Sequence, residues 1–182
     1  MLDYKITLVI GGCRSGKSSF ALEEANQIKG DQKLFLATSV PRDSEMHKRV
    51  AKHQAERGED WQTIEEPVDI HKIIATRSGN ADVILVDCLT LWTSNLMARE
   101  EGESTVMEYT QKLVSALEAS QCPVFLVANE VGTGIVPENA LARQFRDLAG
   151  FVNQKVAAAA DRVILTVAGI GVQIKPKETG AS

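Results

Sequence analysis

The chain has 182 residues, 44% of them hydrophobic and 24% charged, with a formal net charge of −4. These values fit a single globular domain that buries roughly 70% of its extended surface. They disfavour a nucleic-acid partner, which would ask for a basic balance, and no apolar run approaches the ~20 residues of a bilayer span. The three cysteines, Cys13, Cys88 and Cys122, are odd in number and widely spaced, so they signal neither a disulfide framework nor a zinc site. A reducing cytosol is the simplest setting, and Met1 to Lys5 leads straight into a strand with no signal peptide.

In chain order, Ile6-Thr7-Leu8-Val9-Ile10 is a short β-branched run that predicts a buried parallel strand. Gly11-Gly12-Cys13-Arg14-Ser15-Gly16-Lys17-Ser18 follows and fits the phosphate-binding pattern G-x-x-x-x-G-K-[ST]. Residues 19–25 then form helix readily. Strand, glycine loop and helix together are the setting that motif requires. A glycine turn with a surface lysine is the plainer alternative. Gly11 and Gly16 let the backbone wrap an oxyanion, and successive N–H groups at a helix start point at phosphates. Lys17 supplies a mobile charge for the β- and γ-phosphates, and Ser18 a hydroxyl for Mg²⁺.

Gly30-Asp31 stops the first helix, and Lys33 to Thr38 predicts the second strand. Thr38-Ser39 falls at its C-terminal end, where open α/β sheets place ligands. Pro41 breaks the chain, and Asp43 or Ser44 can cap a helix running to about Arg57 before Gly58. Trp61 to Pro67 is extended. Asp69 can cap a short helix through Ile70, Ile73 and Ile74, closed by a turn at Gly79-Asn80. Residues 82–87 predict a third strand, apolar throughout and acidic at Asp87. Helices follow from Thr90 to about Arg99 and, after a polar break at 100–104, along Val106, Tyr109, Leu113 and Leu117. A fourth strand at 123–128 leads into a glycine-bearing loop, 129–137. Leu141, Phe145, Leu148, Val152 and Val156 mark a long helix with one apolar stripe. A fifth strand at 162–167 turns at 169–171 into an antiparallel edge strand, 172–175, and the tail 176–182 is expected to be flexible. Strands alternating with helices predict parallel βαβ units in one layered sheet, a single domain over 1–182.

Several side chains bear chemistry. Asp87 at a strand end can hold Mg²⁺ opposite Ser18, or merely cap the following helix. On a helix over 44–57, Arg49, His53 and Arg57 share one stripe. Flanking cations keep an imidazole neutral and nucleophilic, so His53 can attack an α-phosphate; an exposed histidine on a charged helix is the alternative. His47 and His71 have no such setting and read as surface residues. Cys13 is either a filler beneath the phosphate loop or a thiol activated by the helix start, and Cys88 and Cys122 read as core. Trp61 is a stacking platform or a buried anchor. Glu130 can accept a proton from a substrate hydroxyl, while Glu138 and Asn139 can cap the next helix. The loop lacks N-K-x-D, the guanine-reading pattern of Ras-type proteins.

GGCRSGKS at 11–18, ATS at 37–39, His53 with Arg57 and WQTIEEP at 61–67, Asp87, NEVGTGIVPENALARQFRDLAGFVNQKVAAAAD at 129–161 and the closing GIGVQIK together resemble one family. It is that of the bifunctional adenosylcobinamide kinase/adenosylcobinamide-phosphate guanylyltransferases of cobalamin biosynthesis. The resemblance spans nearly the whole chain, and the long block is far more specific than the phosphate loop. It implies a P-loop NTPase (RecA-like) three-layer α/β domain, with a mostly parallel sheet, that assembles as a homotrimer in the cytoplasm. It implies two reactions on nucleoside triphosphate and adenosylcobinamide, with Mg²⁺: phosphorylation of the aminopropanol hydroxyl, then GMP transfer from GTP through a histidine matched by His53, with Lys17 at the phosphates. Nucleotide contacts are implied at Gly11, Gly12, Cys13, Arg14, Ser15, Gly16, Lys17, Ser18, Ala37, Thr38, Ser39, Gln54, Ala55, Glu56, Arg57, Glu65 and Asp87, with Ser18 and Asp87 at the metal. Cys13 stands where alanine is common in the family, and Asp87 where some members carry glutamate, which moves the charge back by one methylene.

Overall fold

The computed structural model describes residues 4–39, 60–99 and 102–175. Seven strands occur among them: β1 (Ile6–Gly11), β2 (Lys33–Ala37), β3 (Trp61–Glu65), β4 (Val83–Asp87), β5 (Val124–Asn129), β6 (Arg162–Val167) and β7 (Ile170–Lys175). They form one sheet in the order β3-β2-β4-β5-β1-β6-β7. All pairings are parallel except β6–β7, which is antiparallel as its short turn requires. The described helices are α1 (Lys17–Asn26), α2 (Ile70–Arg77), α3 (Leu89–Met97), α4 (Gly102–Ala119) and α5 (Ala140–Ala159).

Two cores lie on the two faces of the sheet. Val9, Leu85, Phe125 and Val127 pack with Ala21 and Ala25 of α1. Their strand neighbours Leu8, Ile84, Val86, Leu126 and Ala128 pack on the other face with Ile74, Trp92, Leu113, Leu117, Val152 and Val156 of the other four helices. This three-layer arrangement explains why the central strands are apolar without alternation: both faces of β4 and β5 are covered.

Most predicted elements recur within a residue or two of their expected ends. Trp61 to Glu65, expected only as extended, pairs with β2 as a parallel edge strand. The polar break before α4 is shorter than expected, because Gly102 to Ser104 join the helix with Glu103 in its first turn, where a carboxylate suits the dipole. Asp69 makes no capping bond to α2. Glu66 Oε1 instead fixes the turn just ahead of the helix, accepting from the N–H groups of Val68 (2.9 Å) and Asp69 (2.8 Å). Asn139 does cap α5, its Oδ1 accepting from Ala142 N at 3.1 Å. The expected helix over 44–57 and the tail 176–182 lie outside the described residues.

Candidate active site

The phosphate loop is built by backbone geometry before any side chain acts. β1 ends at Gly11, where a Cβ would collide with the hydroxyls of Thr166 and Ser15. Arg14 (φ 57°) and Gly16 (φ 91°) take left-handed conformations that curl the chain back on itself. Ser15 N donates to Gly12 O at 3.2 Å, and Ser15 O accepts from Gly169 N at 2.8 Å, tying the loop to the β6–β7 turn. Gly16 is the N-cap of α1 and has no side chain to occupy the first N–H groups, which are left to an oxyanion. Lys17 Nζ reaches back across the loop to Gly12 O, 3.2 Å away.

Thr166 is the anchor that sequence reasoning passed over. It is buried at the end of β6, in register with Gly11. Its Oγ1 donates to Ile10 O (3.2 Å) and accepts from Ser15 Oγ (2.8 Å). The available signal was a lone polar residue closing an apolar strand beside the one that carries the loop.

The parallel register brings Glu65, Ala37 and Asp87 side by side at the same sheet edge. Thr38 is fully buried there, and its hydroxyl is committed to Cys88, donating to Cys88 O and accepting from Cys88 N at 2.8 Å each. Asn95 Nδ2 holds the carbonyls of Thr38 (2.8 Å) and Pro67 (3.1 Å). Thr38 thus clasps the ends of β2 and β4, while half-buried Ser39 and exposed Glu65 face outward. Strand alternation puts Asp87 with Val83 and Leu85 on the α1 side. Cys88 occupies the N-cap of α3, so Asp87 is not the cap residue. Burial first, then the neighbouring Asp87 carboxylate, pushes the Cys88 thiol up to about 11, and the charge of Lys17 opposes that rise. Both charges therefore lie within electrostatic reach of the Cys88 thiol.

The loop after β5 is fastened to the same edge. Glu130 N donates to Gly11 O at 3.0 Å, and Glu130 Oε1 accepts from Gly132 N at 2.6 Å. Arg146 holds Gly132 O at 2.8 Å, and Arg143 holds Pro137 O at 3.0 Å and Glu138 O at 2.6 Å. Trp61 is a buried anchor at the opposite end of the sheet, bonded to Asn26 Oδ1 at 2.9 Å. Cys13 is exposed, so it does not fill space beneath the loop, whereas Cys88 and Cys122 are buried as expected. His71 is not the surface residue expected: half-buried, it packs edge-on against Tyr109 with ring centres 5.3 Å apart. The implied contacts 11–18, 37–39, Glu65 and Asp87 all fall on the C-terminal edge of the sheet. His53 and the contacts Gln54, Ala55, Glu56 and Arg57 lie outside the described residues.

A phosphate loop, an acid two strands away and a C-terminal antiparallel hairpin are shared by many nucleotide enzymes, so the comparison with known proteins decides among them. Residues 7–174 match the family described as cobinamide kinase / cobinamide phosphate guanyltransferase. The chain belongs to this family. It is 42% identical over 180 residues to the bifunctional adenosylcobalamin biosynthesis protein CobU of Escherichia coli (strain K12), covering 92% of this chain and 98% of that protein. It is 36% identical over 168 residues to the bifunctional protein CobP of Pseudomonas aeruginosa, covering 92% and 96%. Among solved structures, a KaiC-like protein from Pyrococcus horikoshii OT3 superposes with a TM-score of 0.57 at 17% identity, over 98% of this chain and 82% of that one. The flagellar accessory protein FlaH from Methanocaldococcus jannaschii does so at 0.54 and 15%, over 98% and 81%. These structural likenesses establish the RecA-like P-loop fold of this cobinamide kinase / guanyltransferase family member.

Proposed function

We propose that the protein is a bifunctional enzyme that phosphorylates adenosylcobinamide with ATP or GTP and then transfers GMP to the product, giving adenosylcobinamide-GDP and pyrophosphate. The observation that carries the reading is a phosphate loop and Asp87 assembled on one sheet edge, in a chain whose curated relatives are named as bifunctional enzymes of adenosylcobalamin biosynthesis. In the first reaction the substrate hydroxyl oxygen attacks the γ-phosphorus, the bond to the β-bridging oxygen breaks, and the hydroxyl proton is released. Loop N–H groups and Lys17 neutralise the phosphates. In the second, an imidazole nitrogen of His53 attacks the α-phosphorus of GTP and pyrophosphate leaves. A phosphate oxygen of the corrinoid then takes GMP from His53 and frees the ring. Gln54, Ala55, Glu56 and Arg57 belong to the same contact set, with Arg57 suited to phosphate.

Mg²⁺ fits the donors present. Ser18 and Asp87 offer one hydroxyl and one carboxylate, and the described residues hold no cluster of three or more His, Cys, Asp or Glu that would cage a metal alone. Magnesium takes such sparse protein ligation because phosphate oxygens and water complete its shell. When bound it would supply charge neutralisation at the β- and γ-phosphates. The enzyme acts in the cytosol, which its unpaired cysteines suit. It assembles as a homotrimer, a reading supported by two exposed apolar patches, Ile135, Val136 and Leu141 on one side and Ile170, Val172 and Ile174 on the other.

Incubation with [α-³²P]GTP tests the central claim. Wild-type protein is expected to carry an acid-labile, alkali-stable label. The His53→Ala variant is expected to lose that label and the GMP transfer while still binding GTP, and Lys17→Ala to lose GTP binding. An unlabelled wild type, or wild-type transfer by His53→Ala, overturns the histidine route and leaves a plain P-loop kinase.

A further inference from the structure

Asn129 ends β5, the strand lying between the one that carries the phosphate loop and the one that carries Asp87. Its backbone is held from two directions. Asn129 N donates to Thr90 Oγ1 at 2.7 Å, and Asn129 O accepts from Asn153 Nδ2 at 3.2 Å. Register places the residue beside Gly11, and alternation puts it with Val127 on the α1 face, the face of Asp87. Asn129 Oδ1 is buried and has no hydrogen-bond partner among the described residues. A buried amide oxygen is normally partnered, and this one is fixed at the mouth of an anion cradle.

We infer that the Asn129 carboxamide contacts the terminal phosphoryl group of a bound nucleoside triphosphate and so separates triphosphate from diphosphate. The inference rests on the nucleotide occupying the loop 11–18. The inner phosphates are held by the loop N–H groups and the start of α1. The terminal group extends past them toward Lys17 and the ends of β4 and β5, where Asn129 stands. A half-turn about the Cβ–Cγ bond exchanges the amide's oxygen and NH₂ within the same volume, so the side chain presents a donor to the phosphoryl oxygens. A diphosphate has no group at that place and cannot use the contact.

Calorimetric titration of the full-length protein with Mg²⁺ and either GDP or guanylyl imidodiphosphate tests this. Asn129→Ala is expected to weaken the imidodiphosphate roughly tenfold or more, as loss of a hydrogen bond to a charged group does, and to leave GDP within about twofold. Asn129→Asp keeps the shape but sets a second negative charge against the phosphate, and should weaken the imidodiphosphate further. Equal weakening of both ligands by Asn129→Ala, or imidodiphosphate binding by either variant as tight as wild type, overturns the assignment to Asn129 alone. A wild-type protein that binds neither nucleotide overturns the phosphate-loop reading as well.

Discussion

Thr166 is buried, yet both halves of its hydroxyl are used, one toward Ile10 O and one toward Ser15 Oγ. Thr166→Val keeps the volume and removes both bonds, leaving the Ser15 hydroxyl and a backbone carbonyl without their partner. Such a loss costs about 1–3 kcal/mol, and part of it falls on the loop itself. The variant is expected to unfold at a lower urea concentration and to bind GTP more weakly, while Thr166→Ser stays close to wild type in both. A Thr166→Val protein with wild-type GTP affinity would show that the loop stands without this anchor. The contrast with Lys17 shows what is legible in a sequence. The loop's roles follow from covalent spacing, Gly11 to Ser18 within eight residues, so the motif announces them. Thr166 meets Ser15 across 151 positions, and only the order of the sheet brings them together.

At the level of elements, helix α2 illustrates the same division. Its existence follows from the spacing of Ile70 and Ile74, but the way its start is held does not: the Asp69 backbone carbonyl accepts from Lys72 N, while Glu66 Oε1 takes the N–H groups of Val68 and Asp69 just ahead of the helix. The packing of α2 on α4 places His71 against Tyr109, with Nδ1 buried and unpartnered among the described residues. Burial is the main reason its pKa is lowered; Lys112 and Lys72 push the same way, and Asp69 and Glu66 oppose them. In the unfolded chain the ring takes a proton near its ordinary value of about 6.5, but in the folded chain only at lower pH. The unfolded state therefore binds more protons below that value. The contribution of neutral His71 is complete above about pH 6.5 and is lost as pH falls toward the folded value. Urea titrations at pH 7.5 and pH 5.5 should show a larger loss of stability for wild type than for His71→Gln. Equal losses would remove His71 as the source.

The described residues leave two separate apolar surfaces uncovered among themselves. One is the loop after β5 and the start of α5, where Ile135 is 96% exposed and Leu141 65%. The other is the outer strand β7, whose alternate residues Ile170, Val172 and Ile174 are all more than half exposed. Gly171 between them faces Phe20 on the α1 side, so these three point to the opposite face of the sheet, where α5 does not cover them. Symmetry gives the pair a meaning that neither patch has alone. A two-fold dimer is made by one patch meeting itself, whereas a closed three-fold ring needs two different surfaces on every subunit. If the proposed homotrimer joins one patch to the other, a charge placed in either should break every contact of the ring. Sedimentation equilibrium is expected to give three times the chain mass for wild type and the single-chain mass for both Ile135→Asp and Val172→Asp. Neither substitution changes a residue of the proposed nucleotide loop 11–18, so GTP binding by the two variants reports that the subunit remains folded. A wild type at one or two chain masses, or a trimer that survives either substitution, rules out a ring closed through these two surfaces.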